Sequence, residues 1–260
     1  MLYSKIIDND MLHYGYFKNI DISSDEISIK EFQNAQMNYI KLIINQIKSK
    51  ESKILDVGCG MGGLSKVLKD NKYEVESVTP DDNQFKYITL KYPDLVVHHK
   101  KFEDFNSENK FDVIINSESI QYINLDTAFK ICSKIINDDG RWIIVDYFRK
   151  NDDGINKSGH LLTNFLNKVD RCGWKVTYSE DITQNVLPTL KFAMLVVDRF
   201  IKPIASFASI KIKIKQAWLY YLLRELRNDI KNKAEKELSS LDPLKFSREK
   251  KYMLYVLEKK

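Results

Sequence analysis

Apolar positions along the chain fall into two rhythms, and from residue 53 onward these alternate. Ile54–Val57, Val75–Thr79, Leu95–His98 and Phe111–Ile115 are short runs of strand length. The fourth is almost continuously apolar, as a strand buried on both faces must be. Leu64–Lys69 reads as a helix after the first run, and Ala128–Ile136 as another after the fourth. Asn137–Gly140 predicts a turn, and Arg141–Phe148 a fifth strand. Repeated β-α-β units predict an α/β fold with a parallel, doubly wound sheet.

The order then changes. Residues 160–172 predict a helix closed by Gly173, followed by a strand at Trp174–Ser179. The last strand, Lys251–Glu258, comes only after a long insertion at 183–248. That insertion has helical patterns at Leu190–Phe200 and Gln216–Leu238, is punctuated by Pro188, Pro203 and Pro243, and contains no glycine. It is expected to be a helical cap over the sheet's carboxyl edge. The expected division is an N-terminal helical lid segment at 1–50, with Ile29–Ile47 its clearest helix, a core at 51–182 and 249–260, and the cap at 183–248. Motion of a lid is expected at the ends of the cap or around Gly15.

Composition sharpens one point. At about 7% usage a chain of this length would carry roughly 18 glycines; this one has nine, four of them at positions 58, 60, 62 and 63. Three cysteines, few and far apart, argue for a reducing compartment and against a disulfide framework or a Cys-rich metal site. With an N-terminus that turns acidic at once, this predicts a cytoplasmic protein without a bound metal. No apolar run reaches the length of a spanning helix. Net charge is +5, but residues 191–260 hold 17 Lys/Arg against 8 Asp/Glu, which is either a solvated face or a surface for something acidic.

The glycines lie in Ile54-Leu55-Asp56-Val57-Gly58-Cys59-Gly60-Met61-Gly62-Gly63, between the first strand and the first helix. Gly58, Gly60 and Gly63 fit G-x-G-x-x-G, a pattern shared by many nucleotide binders. Missing Cβ atoms permit a tight turn and let a ligand lie against bare backbone. Asp56 adds a carboxylate at the strand's end, suited to a cationic ligand more than to a pyrophosphate.

This segment resembles the first motif of the class I S-adenosylmethionine-dependent methyltransferases, of the branch acting on small molecules and lipids. The resemblance implies a Rossmann-like, seven-stranded sheet of order 3-2-1-4-5-7-6 with an antiparallel last strand, and S-adenosyl-L-methionine as cofactor. Val78-Thr79-Pro80-Asp81-Asp82-Asn83-Gln84 is similar to the T-L-S-x-x-Q variant of the cyclopropane-fatty-acid and mycolic-acid branch, which implies that Thr79 and Gln84 bind the ribose hydroxyls. Phe102-Glu103-Asp104-Phe105 resembles that branch's W-E-D-F, implying Phe102 on the adenine face and Glu103 accepting from its amine. Phe111–Tyr122 resembles the fourth-strand motif, whose exit at Ser117 borders the methyl group. His13-Tyr14-Gly15-Tyr16-Phe17 is similar to an aromatic segment that closes the cofactor site, implicating Tyr16.

Methyl transfer is an in-line displacement at a sulfonium, so the residues expected to matter align the acceptor and take its proton. Tyr14 and Tyr122 are expected to position the acceptor, and His13 or His160 to act as base. Glu118 and Gln121 leave the fourth strand toward the same pocket, with capping of the next helix as their other role. A small organic acceptor ranks first. A lipid or membrane surface, met through Lys211–Lys215, Trp218, Tyr220, Tyr221, Arg224 and Arg227, ranks second. Nucleic acid ranks last, and no oligomeric state is implied. The cyclopropane branch favours Glu at Gln121 and Cys at Tyr14, which places a lipid-modifying or cyclopropane-synthase-like enzyme behind a small-molecule methyltransferase. A non-catalytic cofactor-binding protein is a third reading. A nicotinamide dehydrogenase is disfavoured by Thr79, which stands where an acidic ribose reader would be.

Overall fold

The computed structural model describes residues 7, 9–24, 26–152, 158–222, 224, 228, 229, 232 and 238–260. Its framework is a seven-stranded sheet of order β3-β2-β1-β4-β5-β7-β6, as the resemblance implies. The strands are β1 (Lys53–Val57), β2 (Glu74–Thr79), β3 (Val96–His99), β4 (Phe111–Ser117), β5 (Ile136–Arg149), β6 (Trp174–Asp181) and β7 (Lys250–Lys259). The first five pair in parallel; β7 runs antiparallel between β5 and β6. The expected turn at 137–140 is instead a bulge inside β5. Pairing jumps from Phe111–Ile136 to Val113–Arg141, so the polar residues between leave the ladder without ending the strand.

Period-2 alternation sorts the side chains of each strand onto two faces. Leu55, Ile114, Ile144 and Leu257 join one apolar cluster with α4 (Leu125–Ile135) and α5 (Leu162–Arg171). Ile54, Val113, Ile143 and Val256 join the other with α1 (Ile29–Ile44), α2 (Gly63–Asp70) and α6 (Thr183–Val196). α3 (Asp82–Lys91) covers a smaller cluster through Ile88. Polar residues set the helix starts: Ser28 and Glu31 form a capping box on α1, while Asp81 and Asn124 cap α3 and α4.

The outer segments differ from the sequence reading. Ahead of α1, residues 9–24 are extended and irregular rather than helical. Gly15 is tightly held: a Cβ there would lie 2.7 Å from the Ala35 Cβ, and its N–H donates to Thr189 Oγ1 at 2.9 Å. In the insertion, α6 starts at Thr183, earlier than expected, runs through Pro188 and packs on the core. A π-helical turn, Val197–Ile201, leads to α7 (Lys202–Lys215), which buries no residue, and α8 (Ala217–Leu222) follows. α9 (Pro243–Glu249) returns the chain to β7. Much of the expected helix at 216–238 lies outside the described residues, including Arg227 and the side chain of Tyr220. No helix among the described residues is long and apolar enough to cross a membrane.

Candidate active site

A cleft opens at the carboxyl ends of β1, β2 and β4, where the strand order reverses and doubly wound folds bind ligands. It has two adjoining lobes, of about 380 and 250 Å³, which share Gly58, Pro80, Ser119 and Tyr122. His13, Asp56, Gly58, Gly60, Gly63, Thr79, Gln84, Ser117 and Tyr122 line the larger. Phe102 and Glu103 line the smaller. Residues far apart in sequence thus meet as the motif reading expected.

The glycine loop hooks onto β2 through Gly58 N and Cys59 N, both donating to Val78 O at 2.8 and 3.1 Å. Gly58 has φ +75°, and a Cβ there would lie 2.5 Å from the Ser119 Cβ. At Gly63 the constraint is contact: a Cβ would lie 2.6 Å from the Asp10 carbonyl oxygen. The protein's own N-terminal segment therefore lies on part of the bare backbone. That segment is latched by Asp10, whose carboxylate accepts from Tyr87 Oη (2.7 Å), Lys91 Nζ (2.6 Å) and Tyr92 Oη.

Asp56 is buried, and its Oδ2 accepts from Ser65 Oγ at 2.6 Å, which itself accepts from Ser77 Oγ at 2.9 Å. Burial pushes its carboxyl up to about 6, against the Ser65 hydrogen bond. Thr79 Oγ1 donates to Gln84 Oε1 at 2.7 Å, fixing the pair at the end of β2. Phe102 stacks with Phe105 behind the smaller lobe, and Glu103 Oε1 accepts from Asn124 N at 3.4 Å.

Three expected roles change. His160 Nε2 lies 2.9 and 3.0 Å from the Ile120 and Ile123 carbonyls, to which it can only donate. It clasps the 3₁₀ turn Ile120–Tyr122 rather than presenting a base to the cleft. Tyr16 sits outside both lobes, and its hydroxyl feels the charge of Glu180 on β6. Tyr14 lies behind the lobes, its ring 5.4 Å from that of Tyr252 and 6.3 Å from that of Phe246. Burial, then the charge of Glu118, keeps its hydroxyl protonated.

His13 stacks on Tyr39 at 4.3 Å. Its Nδ1 lies 2.8 Å from the Tyr14 carbonyl, which places the proton on Nδ1 and leaves Nε2 a bare acceptor. Burial lowers it to about 4, so the ring is neutral. Both His13 Nε2 and Gln121 Oε1 are buried without a hydrogen-bond partner. Both residues line the larger lobe. Two orphaned acceptors in one lobe fit a ligand that brings N–H donors, as the ammonium of a methionine moiety does.

Two carboxylates complete the interior. Glu118, at φ +53°, turns its side chain inward, where Oε1 accepts from Tyr14 N (2.6 Å) and Tyr252 Oη (2.5 Å). Asp146, fully buried on β5, accepts from Gln121 N (3.1 Å) and Tyr147 N (2.8 Å). Glu118 does not cap α4, whose cap is Asn124. Asp146 was no site candidate, although a lone acid ending the apolar run Trp142–Val145 was a usable signal. No group of residues suited to a metal ion occurs among the described residues.

A family model described as mycolic acid cyclopropane synthetase matches residues 1–223. An "uncharacterized methyltransferase" from Staphylococcus carnosus is 27% identical over 120 residues, 45% of this chain and 58% of that protein. A sterol 4-C-methyltransferase from Caenorhabditis elegans is 26% identical over 164 residues, 58% of this chain and 47% of that protein. The chain thus spans about half the length of these curated relatives. Geranyl diphosphate C-methyltransferase from Streptomyces coelicolor A3(2), solved with Mg²⁺, geranyl-S-thiolodiphosphate and S-adenosyl-L-homocysteine, shares the fold. Its TM-score is 0.69 at 14% identity, covering 99% of this chain and 91% of that one. With 223 of its 260 residues matched, the chain belongs to the mycolic acid cyclopropane synthetase family of S-adenosylmethionine-dependent enzymes.

Proposed function

We propose that this protein transfers a methyl group from S-adenosylmethionine to O, N or C of a small organic acceptor by in-line displacement. The observation that carries this reading is the pair of orphaned acceptors, His13 Nε2 and Gln121 Oε1, in the lobe that also holds the glycine loop and Asp56. Bound there, the cofactor would supply an electrophilic methyl group on a sulfonium. Thr79 and Gln84 suit the ribose hydroxyls, Phe102 and Glu103 the adenine. Tyr122, 78% exposed at the junction of the lobes, is placed to guide an acceptor inward. Alignment alone lowers such a barrier by up to about 7–11 kcal/mol. Calorimetry with S-adenosylmethionine, S-adenosylhomocysteine and NAD tests the cofactor: preference for NAD, or binding of none, overturns the reading. Transfer of labelled methyl into fractionated phenols, amines and lipids then tests the acceptor.

A lipid acceptor is a second reading, favoured by α7. Ile204, Phe207, Ile210 and Ile214 are all exposed there beside Lys211, Lys213 and Lys215, an apolar and basic surface of the kind that lies on anionic bilayers. Co-sedimentation with phosphatidylglycerol vesicles, absent with phosphatidylcholine alone and lost in Phe207→Glu, supports it. Equal recovery with and without vesicles removes it.

A further inference from the structure

The interior behind the cleft holds two acids that make no direct ion pair among the described residues. These are Glu118 and Asp146, which repel each other. Lys250 feels Asp146, but its ammonium donates to Ser158 Oγ at 2.8 Å and sits 4.0 Å from the centre of the Tyr147 ring. Two buried carboxyl groups in one space are costly unless a proton or a cation joins them.

The geometry offers a place for that cation. Both side-chain hydrogen bonds of Glu118 fall on Oε1, and Oε2 has no hydrogen-bond partner among the described residues. Glu118 lines the larger lobe next to Gln121 and Tyr122, and no lysine or arginine lines that lobe. Around Glu118 and Asp146 stand Tyr14, Tyr39, Tyr122, Tyr147 and Tyr252, whose hydroxyls all feel one or both charges. A phosphate or carboxylate would meet the negative charge of Glu118 here with no lysine or arginine to offset it. A protonated amine would meet an open carboxylate oxygen and the Tyr122 ring, both of which favour it.

We propose that Glu118, seconded by Asp146, recognises the amino group of the acceptor, so that the methyl group goes to nitrogen. This rests on the methyltransferase reading and narrows it to one acceptor class. The amine arrives as an ammonium ion, and Glu118 Oε2 accepts one of its protons. The freed nitrogen lone pair forms the N–C bond as the C–S bond breaks, and the sulfur leaves as a neutral thioether. The product is a methylated ammonium ion, and the proton on Glu118 returns to water through the cleft mouth. Burial, opposed by the Tyr252 and Tyr14 donors, pushes the Glu118 carboxyl up to about 7, which suits it to that exchange at neutral pH.

The test uses the full chain. Calorimetry first measures S-adenosylhomocysteine alone, then 2-phenylethylamine, 2-phenylethanol and phenylacetate on the S-adenosylhomocysteine complex, with a matching set of alkyl amines, alcohols and acids. The expected result is binding of amines at least tenfold tighter than their alcohol and acid counterparts. Glu118→Gln should weaken the amines by tenfold or more while S-adenosylhomocysteine affinity stays within twofold. Asp146→Asn, expected to act in the same direction, serves if Glu118→Gln does not fold by circular dichroism. A series in which no amine binds more tightly than its counterparts overturns the proposal, as does a variant that weakens S-adenosylhomocysteine as much as the amine. If the wild type binds no S-adenosylhomocysteine, the methyltransferase reading itself has failed.

Discussion

Asp56 shows how one residue ties fold stability to the ligand. Its carboxyl is buried against Ser65, near Cys59, and no ion pair among the described residues compensates it. Its native pKa, about 6, lies above the ordinary 3.8, so between those values the folded state binds more protons than the unfolded one. The contribution is full below pH 3.8 and is lost as pH rises through about 6, amounting to about 3 kcal/mol. Asp56→Asn should remove this part of the pH dependence of urea denaturation; an unchanged slope between pH 4 and 6 would show that Asp56 is ionised throughout. The glycines carry a second prediction at this scale. Gly58→Ala combines a left-handed φ with a clash on Ser119, whereas Gly63→Ala clashes with the Asp10–Met11 peptide unit and needs no left-handed φ. Gly58→Ala should therefore lower stability by about 1–3 kcal/mol. Gly63→Ala should chiefly displace the N-terminal segment and weaken S-adenosylhomocysteine binding, read by thermal denaturation and calorimetry side by side.

Among the elements, the 3₁₀ turn Ile120–Tyr122 decides where Gln121 and Tyr122 point. His160 clasps it by two carbonyls, and Asp146 accepts from the Gln121 N–H. His160 is thus a positioning residue, and His160→Ala should cost less than tenfold in turnover and leave the pH profile in place. Loss of a true general base would cost about 10²–10⁴-fold and remove one limb of that profile. The helix α3 acts likewise on the N-terminal segment, through Tyr87, Lys91 and the following Tyr92. Asp10→Ala removes that grip, worth about 1–3 kcal/mol, and stopped-flow release of S-adenosylhomocysteine should quicken at least fivefold. The strands and the glycine loop were legible in the sequence because each is written locally, in period-2 runs and in glycines that tolerate one turn. The His160 clasp and the inward turn of Glu118 were not. They depend on carbonyls and hydroxyls supplied from 37 to 134 residues away, which no local pattern encodes. The bulge in β5 was misread as a turn for the opposite reason: Asn137–Gly140 has turn chemistry, and sheet pairing overrode it.

At the scale of the molecule, the two segments outside the sheet are fastened to each other. Phe17 N donates to Asn185 O at 2.9 Å, and Asn185 Nδ2 returns a bond to Phe17 O at 2.9 Å. Gly15 N donates to Thr189 Oγ1, and Phe32 of α1 stacks on Phe192 of α6 at 4.6 Å. The N-terminal segment therefore cannot lift from the glycine loop without breaking bonds to α6, the helix that begins the long insertion. In a chain with no glycine between 174 and 260, these contacts form a seam that joins the two segments into one layer. Thr189→Val keeps the volume but leaves the Gly15 N–H buried without a partner, a cost of about 1–3 kcal/mol. If the seam acts as one unit, the variant should melt several degrees lower, and its residues 9–24 should exchange amide hydrogens faster while the central strands keep their protection. Bound S-adenosylhomocysteine should restore most of that protection, because His13 and Leu12 line the cleft. Faster exchange confined to Gly15 would mean that the N-terminal segment and α6 move independently, and that the Asp10 latch alone holds the segment on the glycine loop.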